Sequence, residues 1–356
     1  MSVTFELYLL DGGNGETAVA LGRCGNDAAI ERLSLNGGLE PLVKFGKKIG
    51  ELAEGSAAQI SEHDVSSFGA DLFNYLFPES LGRLFSQVSA GKLSLQILSD
   101  HPRIKNVPWE FIVTPDKEFA PHNERVVVRV HPTCGIKRPD KVKVSSIRIL
   151  FVTAAPIDQG GVPVDEVLGA IQRTFRNFLP ANVEIKVLEA ANTQALVTAL
   201  SENSYDIFHF YGHGEIRDNG GGLLLQGVTS KRATFVPGKK FASLFAGKGI
   251  QLAILSACNS GAGAHTGAFD AVATSLIAAG IPAVLANQYP IHYTTIAPFV
   301  CEVYRSLIKH GNIDDAVADG RVRLYTDVAT SSSSGVVDWG IPVLYRLSDA
   351  QQLFDL

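Results

Sequence analysis

Two apolar runs that each stop at a cluster of small residues constrain this chain more than any other feature. Tyr205-Asp206-Ile207-Phe208-His209-Phe210 leads into Tyr211-Gly212-His213-Gly214, and Ile250-Gln251-Leu252-Ala253-Ile254-Leu255 leads into Ser256-Ala257-Cys258-Asn259-Ser260-Gly261. A short apolar run that ends at glycine or other small residues is the pattern of a buried parallel strand entering a loop. In open α/β sheets, ligands and chemistry collect where such strands end. His213 and Cys258 are therefore expected on neighbouring loops at one rim of one sheet. A thiol beside an imidazole is the smallest set needed for thiolate attack on a carbonyl.

The rest of the chain supports that architecture. Its 356 residues exceed the usual single core, so two domains are expected. The short basic stretch from Gly135 to Lys143, broken by Pro139, marks the boundary and separates a domain of residues 1–140 from one of residues 141–356. Beyond it, strand and helix alternate. Ile147–Val152 reads as a strand, and Val164, Val167, Leu168, Ile171, Phe175 and Phe178 recur at helical spacing. Val183–Leu188 reads as a second strand, and Asn192 caps a helix over Thr193–Leu200. The histidine and cysteine strands come third and fourth. A helix over Ala268–Ala279, a strand over Pro282–Asn287, a helix over Thr294–Lys309 and a last strand over Ile341–Tyr345 follow. Such alternation predicts a mostly parallel sheet wrapped on both faces. The Ser331–Gly335 stretch reads as a mobile loop. Residues 1–140 mix strands (Val3–Leu10, Leu93–Leu98, Val126–Val130) with a helical region at Asp71–Ser89, and hold no titratable cluster beside a nucleophile.

Composition narrows the function classes. A net charge of −5 carries no electrostatic footprint for a nucleic-acid partner. The first residues lack a basic n-region with a long apolar stretch, and no run of 18 apolar residues occurs, so neither a signal peptide nor a spanning helix is expected. Four cysteines (Cys24, Cys134, Cys258, Cys301) are too few for a disulfide framework, which fits reduced thiols in the cytoplasm. Cys258 alone has small neighbours on both sides and a histidine on the adjacent loop; Cys24, Cys134 and Cys301 read as core residues. His213 lies between two glycines, and the Gly214 amide is placed to serve an oxyanion together with the Cys258 amide. His209, flanked by Phe208 and Phe210, reads as a packed, hydrogen-bonded core residue. A zinc site from Cys258, His265 and His213 lacks the close ligand pairs of structural zinc, so neither metal nor cofactor is expected.

At these motifs the chain resembles the CHAT family of caspase-like cysteine proteases. The resemblance runs through Phe208–Gly214, Leu255–Gly261, Ala278–Ile291 and Trp339–Tyr345, and extends upstream to Val107–Ile112 and Val126–Arg129. It implies a caspase-like three-layer αβα sandwich, α/β in class, preceded by a non-catalytic α+β domain of pseudo-caspase type. It also implies a His213–Cys258 dyad with Gly214 in the oxyanion hole, and a specific protein substrate in a defence or cell-death pathway. Ser256 stands where animal caspases carry a glutamine of the acidic-residue pocket, so strict aspartate preference is not expected. Asp158, after the first strand of the catalytic half, is the candidate acid of the kind metacaspases use to select Arg or Lys. Gln288 and Tyr289 fall on the loop that helps shape the specificity pocket in caspases. The segment Glu215–Lys240 holds a hairpin of Leu223–Gln226 with Ala233–Val236 and is expected to border the substrate groove. No helical repeat period is visible, which leaves regulation to a separate activating partner.

Three functions remain open from the sequence. The first is a cysteine endopeptidase acting on a protein substrate such as an effector or pore-forming protein. The second is a catalytically silent caspase-like scaffold that recruits a partner. The third is a thiol enzyme of small molecules, disfavoured because no nucleotide or phosphate-binding glycine fingerprint follows the first strand. Direct nucleic-acid or membrane contact is expected for none of them.

Overall fold

The computed structural model describes the chain apart from residues 1–2, 54–58, 89–90, 100, 102–103, 105–106, 117–121, 132–135, 137–138, 144–146, 162, 179–182, 219, 258–267, 327–334 and 356. Cys258, Cys134, His265 and the serine-rich stretch at 331–334 therefore lie outside the described residues.

In the first part of the chain, β1 (Val3–Asp11), β2 (Thr17–Cys24) and β3 (Asp27–Ser34) form an antiparallel meander. The helices α1 (Leu39–Ala53), α2 (Glu62–Leu76) and α3 (Glu79–Ser86) follow. Ser61 and Asp64 start α2 with a capping box: Ser61 Oγ accepts from the Asp64 amide at 3.1 Å and Asp64 Oδ2 from the Ser61 amide at 2.8 Å. Next come β4 (Leu93–Ser99), a 3-10 turn at Trp109–Phe111 and β5 (Arg125–His131). Five consecutive residues of β4 and six of β5 are buried, the mark of strands covered on both faces.

The second part begins with the short β6 (Val142–Lys143) and then alternates as expected: β7 (Arg148–Thr153), α4 (Val164–Phe178), β8 (Glu184–Leu188), α5 (Thr193–Glu202) and β9 (Ile207–Arg217). Asn192 Oδ1 caps α5 through the Ala195 amide at 2.9 Å. The strands β10 (Gly220–Gln226) and β11 (Ala233–Pro237) form the hairpin, followed by α6 (Gly238–Ala242), β12 (Leu252–Ala257), α7 (Ala268–Ala278) and β13 (Ala283–Asn287). The chain closes with α8 (Tyr293–His310), α9 (Ile313–Thr326), α10 (Gly335–Asp338), β14 (Pro342–Leu347) and β15 (Phe354–Asp355), which pairs with β6 in a separate small sheet.

One sheet of 13 strands runs through both parts. Strands β8, β7, β9, β12 and β13 are parallel to one another, and so are β1, β4, β5 and β14. The two blocks meet where β13 and β14 pair antiparallel, Leu285 opposite Leu344. Strand β14 then pairs with β5, Tyr345 opposite Arg129, so residues on either side of position 140 share a single sheet.

Buried arginines hold this seam. Arg346 on β14 is fully buried and donates Nε and Nη2 to the two oxygens of Asp314 on α9 at 2.8 and 2.9 Å. Its Nη1 donates to the Leu347 and Ser348 carbonyls, and Ser94 on β4 donates to Asp314 Oδ2 at 3.0 Å. Arg321 on α9 donates to the Pro342 carbonyl at 2.8 Å. Because the Arg346 pair is bidentate and fully satisfied, removing one member leaves a charge in the interior. Arg346→Met is expected to destabilise the fold by roughly 3–5 kcal/mol in chemical denaturation, and Asp314→Leu added to it to restore part of that loss.

Candidate active site

The site is built on β9 and β12. They pair in parallel from Ile207 opposite Leu252 to Gly212 opposite Ala257. Strand periodicity separates their side chains into two faces. Phe208 and Phe210 meet Phe241 on and Phe245 beyond α6, whereas His209 meets Tyr304 on α8. His213 follows His209 by four residues and belongs to the α8 side by that alternation.

The sequence reading placed His213 in a loop. Instead β9 continues through it to Arg217, because β10 folds back and pairs with it, Leu224 opposite His213 and Leu223 opposite Gly214. A hairpin closed by two residues is flanked by a hydrogen-bonded pair, here Arg217 and Gly220. Alternation along the ladder then makes His213–Leu224 hydrogen-bonded and Gly214–Leu223 not. The Gly214 amide is thus directed away from β10, to the side of β12. Gly212 is required where it stands: a Cβ there would lie 2.9 Å from the Ala154 carbonyl oxygen at the end of β7.

His213 is half-buried, and its Nε2 lies 2.9 Å from the Gly160 carbonyl oxygen in the β7–α4 loop. A carbonyl only accepts, so Nε2 carries the proton and the neutral ring keeps its lone pair on Nδ1. Burial lowers the His213 pKa below the ordinary imidazole value, and the Gly160 carbonyl partly opposes that shift. The loop that supplies this carbonyl is pinned to the hairpin. Asp158 Oδ1 accepts from the Ala233 amide at 2.7 Å, Asp158 Oδ2 lies 3.4 Å from Arg232 Nε, and the Ile157 amide donates to the Lys231 carbonyl at 2.9 Å. Gln226 Nε2 donates to the Ala155 carbonyl at 3.0 Å. Sequence reasoning missed Gly160, since a backbone carbonyl leaves no residue-type signal.

The other expected site residues separate from this group. Ser256 is 1% exposed, and its Oγ lies 3.2 Å from Nε2 of His209, so its hydroxyl is engaged inside the core instead of lining a groove. Gln288 is buried and accepts from Arg129 Nη2 at 2.8 Å. Tyr289 is buried as well, and a Cβ on Gly46 of α1 would lie 2.9 Å from its hydroxyl. Both side chains turn toward the first part of the chain, where Arg129 also pairs with Glu110 at 2.8 Å. Burial is the largest single influence on Arg129 and opposes its charge, but Glu110, Tyr345 and Asp270 together outweigh it and the net pKa shift is upward. A cavity of about 710 Å³ lies beside this cluster, with Trp109, Arg129, Asp270 and Tyr345 in its wall and His213 not among them. Among the described residues no group of three potential metal ligands occurs. Cys24 and Cys301 are free and partly buried.

A family model, the CHAT domain, matches residues 67–346. The chain belongs to the CHAT domain family. Two structures of the Saccharomyces cerevisiae separase–securin complex share the fold, with TM-scores of 0.55 and 0.51, 11% identity and 97% of this chain covered. This chain spans 30% of the separase chains it matches. The Arg-specific cysteine proteinase gingipain R is also similar, with a TM-score of 0.49 and 11% identity over 88% of this chain and 75% of its own. No curated protein matches by sequence. The CHAT chain is thus a caspase-like α/β protein with a large, mostly parallel central sheet. Among its described residues no helix is long and apolar enough to cross a membrane.

His209 gives the site a measurable pH signature. It is fully buried, with Nδ1 3.0 Å from the Tyr304 hydroxyl, and burial lowers its pKa to about 3. An unfolded chain protonates this ring near pH 6.5. The unfolded state therefore binds more protons between about pH 6.5 and 3, and stability falls as pH falls through that window. Asp338 acts in the opposite sense: burial raises its pKa to about 7, so its contribution falls as pH rises from the ordinary carboxylate range to about 7. His209→Gln is expected to lower Tm at pH 7 but to flatten the acid decline between pH 6.5 and 4. Asp338→Asn is expected to raise Tm at pH 8 more than at pH 4. Both are read from thermal melts across pH.

Proposed function

We propose that this CHAT protein is a cysteine endopeptidase with Cys258 as nucleophile and His213 as its acid–base partner. The observation that carries the reading is the register of β9 and β12 together with the tautomer of His213. Ala257 pairs with Gly212, and in the sequence Cys258 follows Ala257 as His213 follows Gly212. Covalent geometry and strand spacing keep their Cα atoms within roughly 12 Å of each other. The Gly160 carbonyl holds the Nε2 proton, so the free Nδ1 lone pair is the base.

In this mechanism Nδ1 takes the thiol proton of Cys258, and the sulfur bonds to the scissile carbonyl carbon. The amides of Gly214 and Cys258 donate to the resulting oxyanion, an arrangement worth roughly 3–4 kcal/mol of barrier. The carbon–nitrogen bond then breaks, and the imidazolium returns its proton to the leaving amine. Water hydrolyses the thioester with Nδ1 as base, and the thiol is regenerated. Asp158, on the loop that holds His213, remains the proposed acidic specificity residue. Ser256 serves the site from behind, whereas Gln288 and Tyr289 face Arg129 and α1 and take no part in it.

We further infer a protein substrate, in a defence or cell-death setting within the cytoplasm, and a separate partner that controls activity. The separase neighbour was crystallised with securin, which supports a regulated, protein-directed role. The runner-up reading is a silent scaffold that recruits the same kind of partner.

Cleavage of an unbiased peptide library separates the two. Wild type is expected to cut after one dominant residue type, Cys258→Ala to cut nothing, and His213→Ala to lose roughly 10²–10⁴-fold in kcat/KM. Turnover retained by Cys258→Ala rejects the mechanism. Binding of a protein partner without cleavage or thiol labelling supports the scaffold.

A further inference from the structure

Behind the proposed dyad, on the same side of the sheet, lies a second and fully buried histidine with two hydrogen-bond partners. His209 has its two ring nitrogens committed, Nδ1 to the Tyr304 hydroxyl at 3.0 Å and Nε2 to Ser256 Oγ at 3.2 Å. All three groups are buried: Tyr304 and His209 are fully so and Ser256 is 1% exposed. Phe151 on β7 meets the His209 ring edge-on at 4.8 Å, and Phe175 on α4 packs against Tyr304 at 5.2 Å. A neutral imidazole has one donor and one acceptor, and each hydroxyl can take either role, so the chain is fully satisfied in either tautomer.

The position of this chain is what gives it a consequence. His209 lies four residues before His213 on β9, and Ser256 lies two residues before Cys258 on β12. Their hydrogen bond runs directly across the β9–β12 pair, with Ile254 opposite His209 and Tyr211 opposite Ser256. A side-chain bond across two parallel strands fixes their relative twist and shift more tightly than the backbone ladder alone. Tyr304 extends that constraint to α8, the helix covering this face. Ser256 is the last residue of β12 to have such a cross-strand side-chain anchor before the chain reaches Cys258.

We propose that Ser256 and His209 are positioning residues that set the separation of Cys258 from His213, with Tyr304 as their outer anchor. The proposal rests on the endopeptidase reading above. The hydroxyl of Ser256 touches no substrate; it acts by holding the end of β12 against β9. On this view the residue two places before the nucleophile is required for its hydroxyl.

The test compares wild type with Ser256→Ala, Ser256→Thr and Tyr304→Phe, using the best peptide from the library together with the rate at which iodoacetamide alkylates Cys258. Ser256→Ala is expected to lower kcat by at least tenfold with KM within twofold of wild type, and to slow alkylation of Cys258 by a similar factor. Ser256→Thr, which keeps the hydroxyl, is expected to recover most of both rates. Tyr304→Phe is expected to fall between them. Circular dichroism and Tm identify any variant that fails to fold, and Tyr304→Phe, which removes a single oxygen, then carries the comparison. Wild-type cleavage with unchanged kcat and alkylation rate in folded Ser256→Ala or Tyr304→Phe overturns the positioning role and leaves the endopeptidase reading intact. Loss of both rates in Ser256→Thr as well as in Ser256→Ala also overturns it, since the hydroxyl is then not the cause. A wild type that cuts no peptide, with Cys258 alkylated no faster than a free thiol, overturns the endopeptidase reading and the positioning role with it.

Discussion

The fold depends on keeping two parallel blocks of opposite direction in one sheet. Such blocks meet only through an antiparallel pair, and here that pair is β13 with β14. Strand β14 follows every other strand of this sheet in the chain yet sits between β13 and β5. Its anchor there is ionic. Arg346 gives four of its hydrogen bonds to Asp314 and two local carbonyls, and Arg321 reaches across from α9 to the Pro342 carbonyl. Burial lowers the Arg321 pKa to about 10, which still leaves it charged at neutral pH. A buried guanidinium tolerates no slip in register, because every displaced bond leaves an unpaired donor in the core.

That seam also determines where the site can be. Gln288 and Tyr289 follow β13 and turn to Arg129 and α1, so the loop after β13 is committed to the first part of the chain. Among the described residues, the β9–β12 rim is bordered by the stretch of β9 beyond Gly212 and the loop after β7. The hairpin of β10 and β11 stiffens both. It pairs with His213 and Gly214, and it anchors the β7–α4 loop through Asp158 and Gln226. His213 is thus held by its own strand, by the hairpin and by the Gly160 carbonyl, which suits a group that has to present one ring nitrogen in one direction.

Much of this was legible in the sequence because the relevant signal was periodicity. The order of strands from β7 to β14, with α4, α5, α7 and α8 between them, follows from apolar runs and glycine stops, and α4 spans the residues that helical spacing predicts, Val164 to Phe178. The core role of His209 followed from its aromatic neighbours. The meander of β2 and β3 escaped because half of its residues face outward: Ile30 on β3 is 64% exposed, and no apolar run marks the strand. Helix α9 escaped for a related reason, since its buried face includes Asp314 and Arg321, residues read as surface until their partners are known. The continuation of β9 past His213 could not be read from Gly212 and Gly214, because glycine signals a stop only when no partner strand arrives, and β10 is that partner. The resemblance to caspases set Ser256 at a specificity pocket, yet its bond to His209 depends on a contact between residues 47 apart in the chain.

The two histidines of β9 show how depth alone divides roles among identical side chains. Both are desolvated and both titrate below the ordinary imidazole range. For His209, burial is the whole cause, and its nitrogens face hydroxyls that are satisfied by a neutral ring, so protonation gains nothing and the group is fixed as a spacer. For His213, four residues nearer the rim, burial is partial and Nε2 faces a carbonyl that accepts more strongly from a charged ring. The same carbonyl that orients the neutral ring therefore also stabilises the imidazolium, which is what a group that gains and returns a proton within one turnover requires. A hydroxyl in place of the Gly160 carbonyl would leave the tautomer open, and a carboxylate would hold the proton too well to release it to the leaving amine. The backbone carbonyl lies between these limits, and the Asp158 and Gln226 contacts that pin its loop hold that carbonyl against the ring.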